Sequence, residues 1–389
     1  MASVFLAIMN MSITASYILC AVLILRLLLK QAPKWISYSL WSIVLIRLVC
    51  PVSFTSAFSL LGRLTTPTTA YNSIEYIPAD IGTMSIPKVD VGLPSINGFI
   101  NQALPGVTQT ASANPLHIAI NIGSYLWLGG FLAMLMYSIF SYMKLKHKIS
   151  TSTRISGNIY ETDKIDSPFV CGLFKPGIYL PIGLDEKNQA YVVQHERTHL
   201  WRYDHVIKPI AFLVLAVHWF NPLVWLAFRL MSRDMEMSCD ERVVRDMSHD
   251  EKANYGAALV RLAMNRPLFS GSPLAFGESR TKGRVKNILN FKKPVFWVTI
   301  VLVVVMILAG IALLANPLST VNQDDLSTLD GFTGALKRQL GSIVDITKQE
   351  NQKNRGTLLS IKESYNMQKN ISLLNLQLTR RLRRLSMID

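Results

Sequence analysis

Residues 191–199 read YVVQHERTH, and the fold of the whole chain has to accommodate this stretch. It holds His195, Glu196 and His199 in the spacing His-Glu-x-x-His. On an α-helix, residues four apart share a face and lie about 6 Å apart along the axis, so both imidazoles can reach one Zn²⁺ ion. Glu196 is then placed to take a proton from zinc-bound water, because the metal lowers the pKa of that water towards ~7. The pattern predicts a zinc hydrolase.

A catalytic zinc ion normally takes three protein ligands and leaves its fourth position to water. We expect Glu236 to be the third ligand. Asp240 lies one helical turn later and is predicted to accept the second N–H of a zinc-bound histidine. The competing donors are His205, His218, Cys239 and Glu241. Cys239 is disfavoured, because thiolates are more typical of structural than of hydrolytic zinc sites.

Residues 206–231 separate the two halves of this predicted site, and they are nearly all apolar. If they crossed a membrane, His195 and Glu236 would lie on opposite sides of it and could not share a metal. Asn221-Pro222 interrupts the segment, and proline disfavours helix at the residue before it. Two legs of about eleven residues, each ~16 Å long, reach halfway into a bilayer and return. We therefore predict a re-entrant helical hairpin, or one buried against other membrane helices.

The composition agrees with a membrane protein, since 50% of the 389 residues are hydrophobic and only 17% are charged. The apolar residues form long blocks, which predict a mostly α membrane protein with four transmembrane helices. The predicted parts are two transmembrane helices in 1–56, an extracytoplasmic loop in 57–115, a third helix in 116–142, a cytosolic zinc peptidase domain in 143–294, a fourth helix in 295–317 and an extracytoplasmic tail in 318–389.

Lysine and arginine near the ends of the spans predict the orientation, because such residues collect on the cytosolic side. Basic residues cluster at 26–34, 144–154 and 280–293, whereas the N-terminus and the 57–115 loop carry few. The N-terminus and the tail are therefore expected outside the cell membrane. The net charge of +15 is assigned mainly to these clusters. No direct nucleic-acid contact is expected, because no basic stretch is interleaved with aromatic residues.

Residues 157–183 are expected to supply short strands before the motif helix. Gly177–Pro181 has the apolar and aromatic character of an edge strand. An extended substrate could pair with such an edge, which makes Ile178, Tyr179 and Leu180 candidate substrate-contacting residues. The alternative is an ordinary core strand.

Four stretches together resemble the BlaR/MecR-type membrane zinc metallopeptidases of bacterial antibiotic-sensor transducers. They are residues 167–176 (SPFVCGLFKP), the His-Glu-x-x-His stretch, residues 219–225 (WFNPLVW) and Glu236-x-x-Cys239-Asp240-Glu241. The resemblance implies a gluzincin-like protease domain that faces the cytosol and signals by self-cleavage, by cleavage of a cytosolic repressor, or by both. One departure is that residues 318–389 contain neither Ser-x-x-Lys nor Lys-Thr-Gly, so acylation by a β-lactam is not expected.

The leading interpretation is thus a zinc endopeptidase for regulated proteolysis in the bacterial cell membrane, with Zn²⁺ as its cofactor. The expected partners are the lipid bilayer and a peptide or protein substrate such as a cytosolic transcriptional repressor, and a homodimer stays open. Two alternatives remain. One is a CAAX-type membrane protease, although four spans leave little room for its chamber. The other is a non-catalytic receptor in which the zinc is structural.

Overall fold

The computed structural model describes residues 1–50, 69–70, 73–74, 76–82, 84, 87–91, 94–104, 115–264, 281–314 and 360–385. The chain divides into two compact units, Met1–Leu318 and Ser319–Asp389. The described helices are α1 (Ala2–Leu28), α2 (Lys34–Val49), α3 (Pro94–Ala103), α4 (Pro115–Ile149), α5 (Glu186–Trp201), α6 (Asp204–Val217), α7 (Pro222–Val243), α8 (His249–Met264), α9 (Thr281–Leu289), α10 (Phe296–Leu314) and, in the second unit, α11 (Ser360–Leu385). The protein is therefore mostly helical, as predicted.

Among the described residues, three helices are long and apolar enough to cross a membrane, namely α1, α4 and α10. They coincide with the first, third and fourth predicted spans. The second predicted span begins as helix α2, which has 16 residues. Residues 51–56 of that span lie outside the described part of the chain, so the count of four spans stays a prediction.

The apolar segment 206–231 forms two helices, with a break where the sequence predicts it. Helix α6 ends at Val217, and α7 begins at Pro222 after the capping residue Asn221, whose side-chain oxygen accepts from the amide of Leu223 at 2.9 Å. Both helices contribute to one large apolar core with α1, α2 and the end of α10. The segment is thus a helical pair buried against other apolar helices.

Several polar groups around the break are bonded within the protein, whereas Nδ1 of the buried His218 has no partner among the described residues. The amide nitrogen of Asn221 donates to the hydroxyls of Ser12 (2.8 Å) and Ser16 (2.9 Å) in α1. The buried His218 donates to the carbonyl of Leu48 at 3.1 Å, and the indole of Trp127 donates to the carbonyl of Val217 at 2.8 Å. Non-helical backbone at membrane depth must be covered by protein or line a water-filled cavity, and the bonds at this break are bonds to protein groups.

A small mixed sheet precedes α5. Its strands are β3 (Thr153–Ser156), β4 (Ile159–Thr162), β5 (Phe169–Cys171) and β6 (Gly177–Pro181), and their order is β3-β4-β6-β5; β1 (Thr69–Ala70) and β2 (Ser73–Ile74) form a separate antiparallel pair. Strand β6 runs parallel to β4 and antiparallel to β5. Gly172, in the turn after β5, has φ +111°, and a Cβ there would lie 2.6 Å from the carbonyl oxygen of Lys175.

The expectation that Gly177–Pro181 is an edge strand is wrong. Both sides of β6 are already paired, so Ile178, Tyr179 and Leu180 have no free backbone side to offer an extended substrate. The physical reason is that apolar side chains suit a central strand as well as an edge. Ile178 and Leu180 are buried and pack against Val192 of α5, so this strand supports the motif helix instead.

Candidate metal centre

The two histidines of the motif meet on the buried face of α5. His195 and His199 are 6% and 9% exposed, and their Nε2 atoms lie 3.1 Å apart. Two nitrogens bound to one tetrahedral Zn²⁺ ion at ~2.0–2.1 Å are separated by roughly 3.3 Å. The helix therefore presents the pair at nearly the spacing that zinc requires.

Helix α7 returns from the break and brings two further donors to the pair. The carboxylate oxygens of Glu236 lie 3.5 Å from Nε2 of His195 and 3.8 Å from Nε2 of His199. Cys239 follows one helical turn later, and the ligand atoms of His195, His199 and Cys239 all lie within 4.8 Å of one another. The structure thus gathers both the expected third ligand and one of its competitors.

None of the other competing donors is found bonded to the pair in the described part of the chain. His218 is at the helix break and bonds to Leu48. Glu241 accepts from the backbone amide of Lys34 at 2.7 Å and from the side chain of Asn287 at 3.1 Å. His205 lies beside the ring of Tyr203, past the end of α5. The choice of third ligand therefore narrows to Glu236 or Cys239.

His199 is oriented by a carboxylate just beyond its own helix. Tyr203 has the left-handed backbone conformation (φ 60°) and makes the corner between α5 and α6. The first residue of α6 is Asp204, whose Oδ2 lies 2.8 Å from Nδ1 of His199. An ionised carboxylate only accepts hydrogen bonds, so Nδ1 carries the proton and the lone pair on Nε2 faces the centre.

His195 is oriented through a tyrosine on α8. The hydroxyl of Tyr255 donates to Oδ1 of Asp240 at 2.8 Å and lies 2.8 Å from Nδ1 of His195. Burial and the neighbouring Asp240 raise the pKa of Tyr255 well above its usual value, so the hydroxyl keeps its proton. Because that proton goes to Asp240, the oxygen accepts from Nδ1–H, and Nε2 of His195 again faces the centre. Oδ1 of Asp240 is 3.4 Å from the same Nδ1, so Tyr255 bridges the two groups that the sequence predicts to bond directly.

A buried arginine from α9 closes the cluster. Arg284 bonds both oxygens of Asp240 at 2.7 Å, and its other nitrogen lies 3.2 Å from Oε2 of Glu236. A guanidinium nitrogen also lies 3.3 Å from Nε2 of His195. Two carboxylates therefore offset one buried cation, and their bonds to the guanidinium fix their direction.

Comparison with known proteins connects this centre to a peptidase family. The model of the family described as BlaR1 peptidase M56 matches residues 6–288. The chain belongs to this family. It is 23% identical over 277 residues to the methicillin resistance mecR1 protein of Staphylococcus aureus, a match that covers 63% of this chain and 44% of that protein. It is 26% identical over 194 residues to regulatory protein BlaR1 of Bacillus licheniformis, covering 43% and 32%. The chain thus matches less than half the length of these relatives.

The electrostatics of this centre suit a bound cation. Burial lowers the pKa of His195, but the neighbouring Cys239 and Glu236 outweigh burial and raise it to about 10. Burial raises the pKa of Glu236, yet Arg284 and the two histidines bring it well below its usual range. An environment that favours a proton on the imidazoles also favours a divalent cation, whose binding displaces that proton. The donor set of nitrogen, oxygen and sulfur atoms fits a metal ion of the kind that imidazole, carboxylate and thiolate ligands bind.

Glu196, the predicted base, is buried on α5 directly after His195. Three residues of the centre could not be identified from the spacing of the motif. They are Asp204, Tyr255 and Arg284. Asp204 lies beyond the end of the motif helix, where helical periodicity no longer applies. Tyr255 and Arg284 come from two later helices and meet His195 only through the tertiary fold.

Proposed function

We propose that this protein is a membrane-embedded zinc endopeptidase that transmits a signal by cutting itself, a cytosolic regulator, or both. The observation that carries the proposal is the convergence of His195, His199 and Glu236 on one buried point in a chain of the M56 peptidase family. The names of the relatives, a methicillin resistance protein and a regulatory protein, support a regulatory role.

In this proposal His195, His199 and Glu236 bind Zn²⁺. When bound, zinc supplies Lewis-acid chemistry, which polarises a scissile carbonyl and lowers the pKa of water towards ~7. Glu196 accepts the proton of the attacking water and passes it to the leaving amine. Asp204 and the Asp240–Tyr255 pair hold the two imidazoles in the tautomer that leaves Nε2 free for the metal.

For the topology, we propose four transmembrane helices, a re-entrant hairpin and a gluzincin-like domain facing the cytosol of a bacterial cell. The apolar lengths of α1, α4 and α10 support the spans. The basic clusters at 26–34, 144–154 and 280–293 support the cytosolic side for the domain, with the N-terminus and the 318–389 tail outside. The substrate class is a peptide or protein, such as a transcriptional repressor.

The test is self-cleavage by the purified full-length chain, followed by mass spectrometry. Glu196→Gln should retain zinc and fold but yield no fragments, because it removes the base and keeps the shape. Glu186→Gln is the matched control, since it makes the same change at an exposed position of the same helix. If the chain does not cut itself, the same variants are compared on a co-expressed candidate repressor. Cleavage that persists undiminished in Glu196→Gln refutes the mechanism.

A second candidate function is a receptor with structural zinc, and the position of Cys239 favours it. Two histidines, Glu236 and Cys239 could together close a four-ligand site and leave no position for water. Cys239→Ser separates the two functions. A peptidase with Glu236 as third ligand should keep its zinc in this variant, whereas a closed structural site should lose affinity.

A further inference from the structure

The carboxylate that orients His199 has a second partner, which comes from an apolar helix. Oδ2 of Asp204 bonds Nδ1 of His199 at 2.8 Å, and its Oδ1 accepts from the hydroxyl of Tyr38 at 3.0 Å. Tyr38 lies in α2, 166 positions earlier in the chain. Asp204 is only 3% exposed, so water has little access to replace a lost partner.

The hydroxyl of Tyr38 restricts how the carboxylate can turn. With Oδ1 bonded to Tyr38 and Oδ2 bonded to His199, the two hydrogen bonds together restrict the orientation of the carboxylate. Arg202 strengthens the arrangement, since its guanidinium stacks on the ring of Tyr38 at 4.7 Å and its Nε lies 3.5 Å from Oδ2 of Asp204. Removing the hydroxyl would leave a buried carboxylate oxygen without its donor.

Helix α2 is also bonded to α7, the helix that carries Glu236. The indole of Trp41 donates to the fully buried Asp234 at 2.9 Å, and Arg26 from α1 bonds both oxygens of the same carboxylate at 2.7 Å. The amide of Lys34 donates to Glu241 at 2.7 Å. The same apolar helix therefore contacts α7, which carries Glu236, and Asp204, the carboxylate that orients His199 of α5.

We propose that Tyr38 is a positioning residue of the metal centre, through which α2 sets the orientation of the zinc ligand His199. The inference rests on the proposed zinc site and deepens it. It makes the affinity for zinc depend on how α2 is placed against α6. A change in the membrane helices can then reach the centre through one tyrosine and one aspartate.

The experiment measures the dissociation constant for Zn²⁺ alone, by competition with a chromophoric chelator, on the full-length chain in detergent. Asp204→Asn should weaken zinc binding about 10- to 100-fold, the usual cost of losing an outer partner of a ligand. Tyr38→Phe should weaken zinc binding about 3- to 10-fold, because the single hydrogen bond that is lost acts on His199 only through Asp204. The double variant should bind no more weakly than Asp204→Asn.

Tyr17→Phe is the matched control. Tyr17 is a half-buried tyrosine of α1 whose hydroxyl bonds the carbonyl of Val91 at 2.6 Å, so its loss removes the same group without touching Asp204. Its zinc affinity should equal that of the wild type. Circular dichroism checks that each variant is folded.

The inference would be overturned if Tyr38→Phe bound zinc as tightly as the wild type, or if Tyr17→Phe lost as much zinc affinity as Tyr38→Phe. It would also be overturned if Tyr38→Phe lowered zinc affinity as much in the Asp204→Asn background as it does in the wild type. Zinc binding that is unchanged in His199→Ala would instead refute the proposed zinc site, and the inference with it.

Discussion

The two histidines of the metal centre are held by different parts of the molecule. His199 bonds a carboxylate directly, and that carboxylate is bonded in turn to α2 among the apolar helices. His195 is held through Tyr255 by Asp240, which pairs with Arg284 on a later helix. One half of the centre therefore depends on the apolar bundle, and the other on the helices that follow it. The centre forms only where these two regions meet.

The two regions can build one centre only if they lie on the same side of the membrane. Single cysteines at Lys187, before the motif histidines, and at Asp250, before Tyr255, should both resist a membrane-impermeant thiol reagent in intact cells. A cysteine in 57–115 or beyond residue 320 should react, because the basic clusters keep the other segments inside. The background chain should lack Cys20 and Cys50, which are exposed.

Labelling at one of the two positions and not at the other would mean that residues 206–231 cross the bilayer. That topology is incompatible with the shared site of His195, His199 and Glu236.

Helix α7 contributes to both halves of the centre. We therefore expect the loss of its proposed ligand, Glu236, to lower zinc affinity more than the loss of a neighbouring acidic residue. Glu236→Ala should lower zinc affinity by more than the roughly 10- to 100-fold typical of losing an outer partner. Glu241→Ala should barely change it, since Glu241 bonds Lys34 and Asn287 instead. Metal analysis that gives the reverse order would move the third ligand to position 241.

The two orienting carboxylates should differ in their effect on stability. Asp240→Asn should lower the free energy of unfolding by about 3 kcal/mol or more, because it breaks a buried pair with two bonds of 2.7 Å to Arg284. Asp204→Asn should cost about 1.5–3 kcal/mol, the range for a hydrogen bond to a charged group. Its arginine, Arg202, is 3.5 Å away and also bonds Ser238. Denaturant unfolding of the two variants, followed by circular dichroism, measures the difference, and equal losses would contradict it.

Local chemistry explains what could be predicted from the sequence. The pairing of His195 and His199 follows from helical spacing, and the break before Pro222 follows from the missing amide of proline. Both are confined to a few neighbouring residues. The helix order around Asn221 could also be inferred, because a shared site requires the chain to return.

What could not be predicted depends on contacts between distant segments. The position of β6 inside the sheet is set by its pairing with β4 and β5, and neither partner is marked in the Gly177–Pro181 stretch. Tyr38 and Arg284 come from opposite ends of the first unit, and nothing in their local sequence points to a metal. The nearness of Cys239 to the histidines, by contrast, follows from helical spacing, because Cys239 shares the α7 face that carries Glu236.

The proposed site binds zinc through two histidines and Glu236, a ligand set typical of hydrolytic rather than structural zinc sites. X-ray absorption spectroscopy of the full-length chain loaded with one equivalent of zinc tests it most directly. We expect only nitrogen and oxygen neighbours at ~2.0–2.2 Å, with the imidazole signal lost in a His195→Ala, His199→Ala double variant. A sulfur neighbour at ~2.3 Å that disappears in Cys239→Ser would show that Cys239 is a ligand and would refute the proposed ligand set.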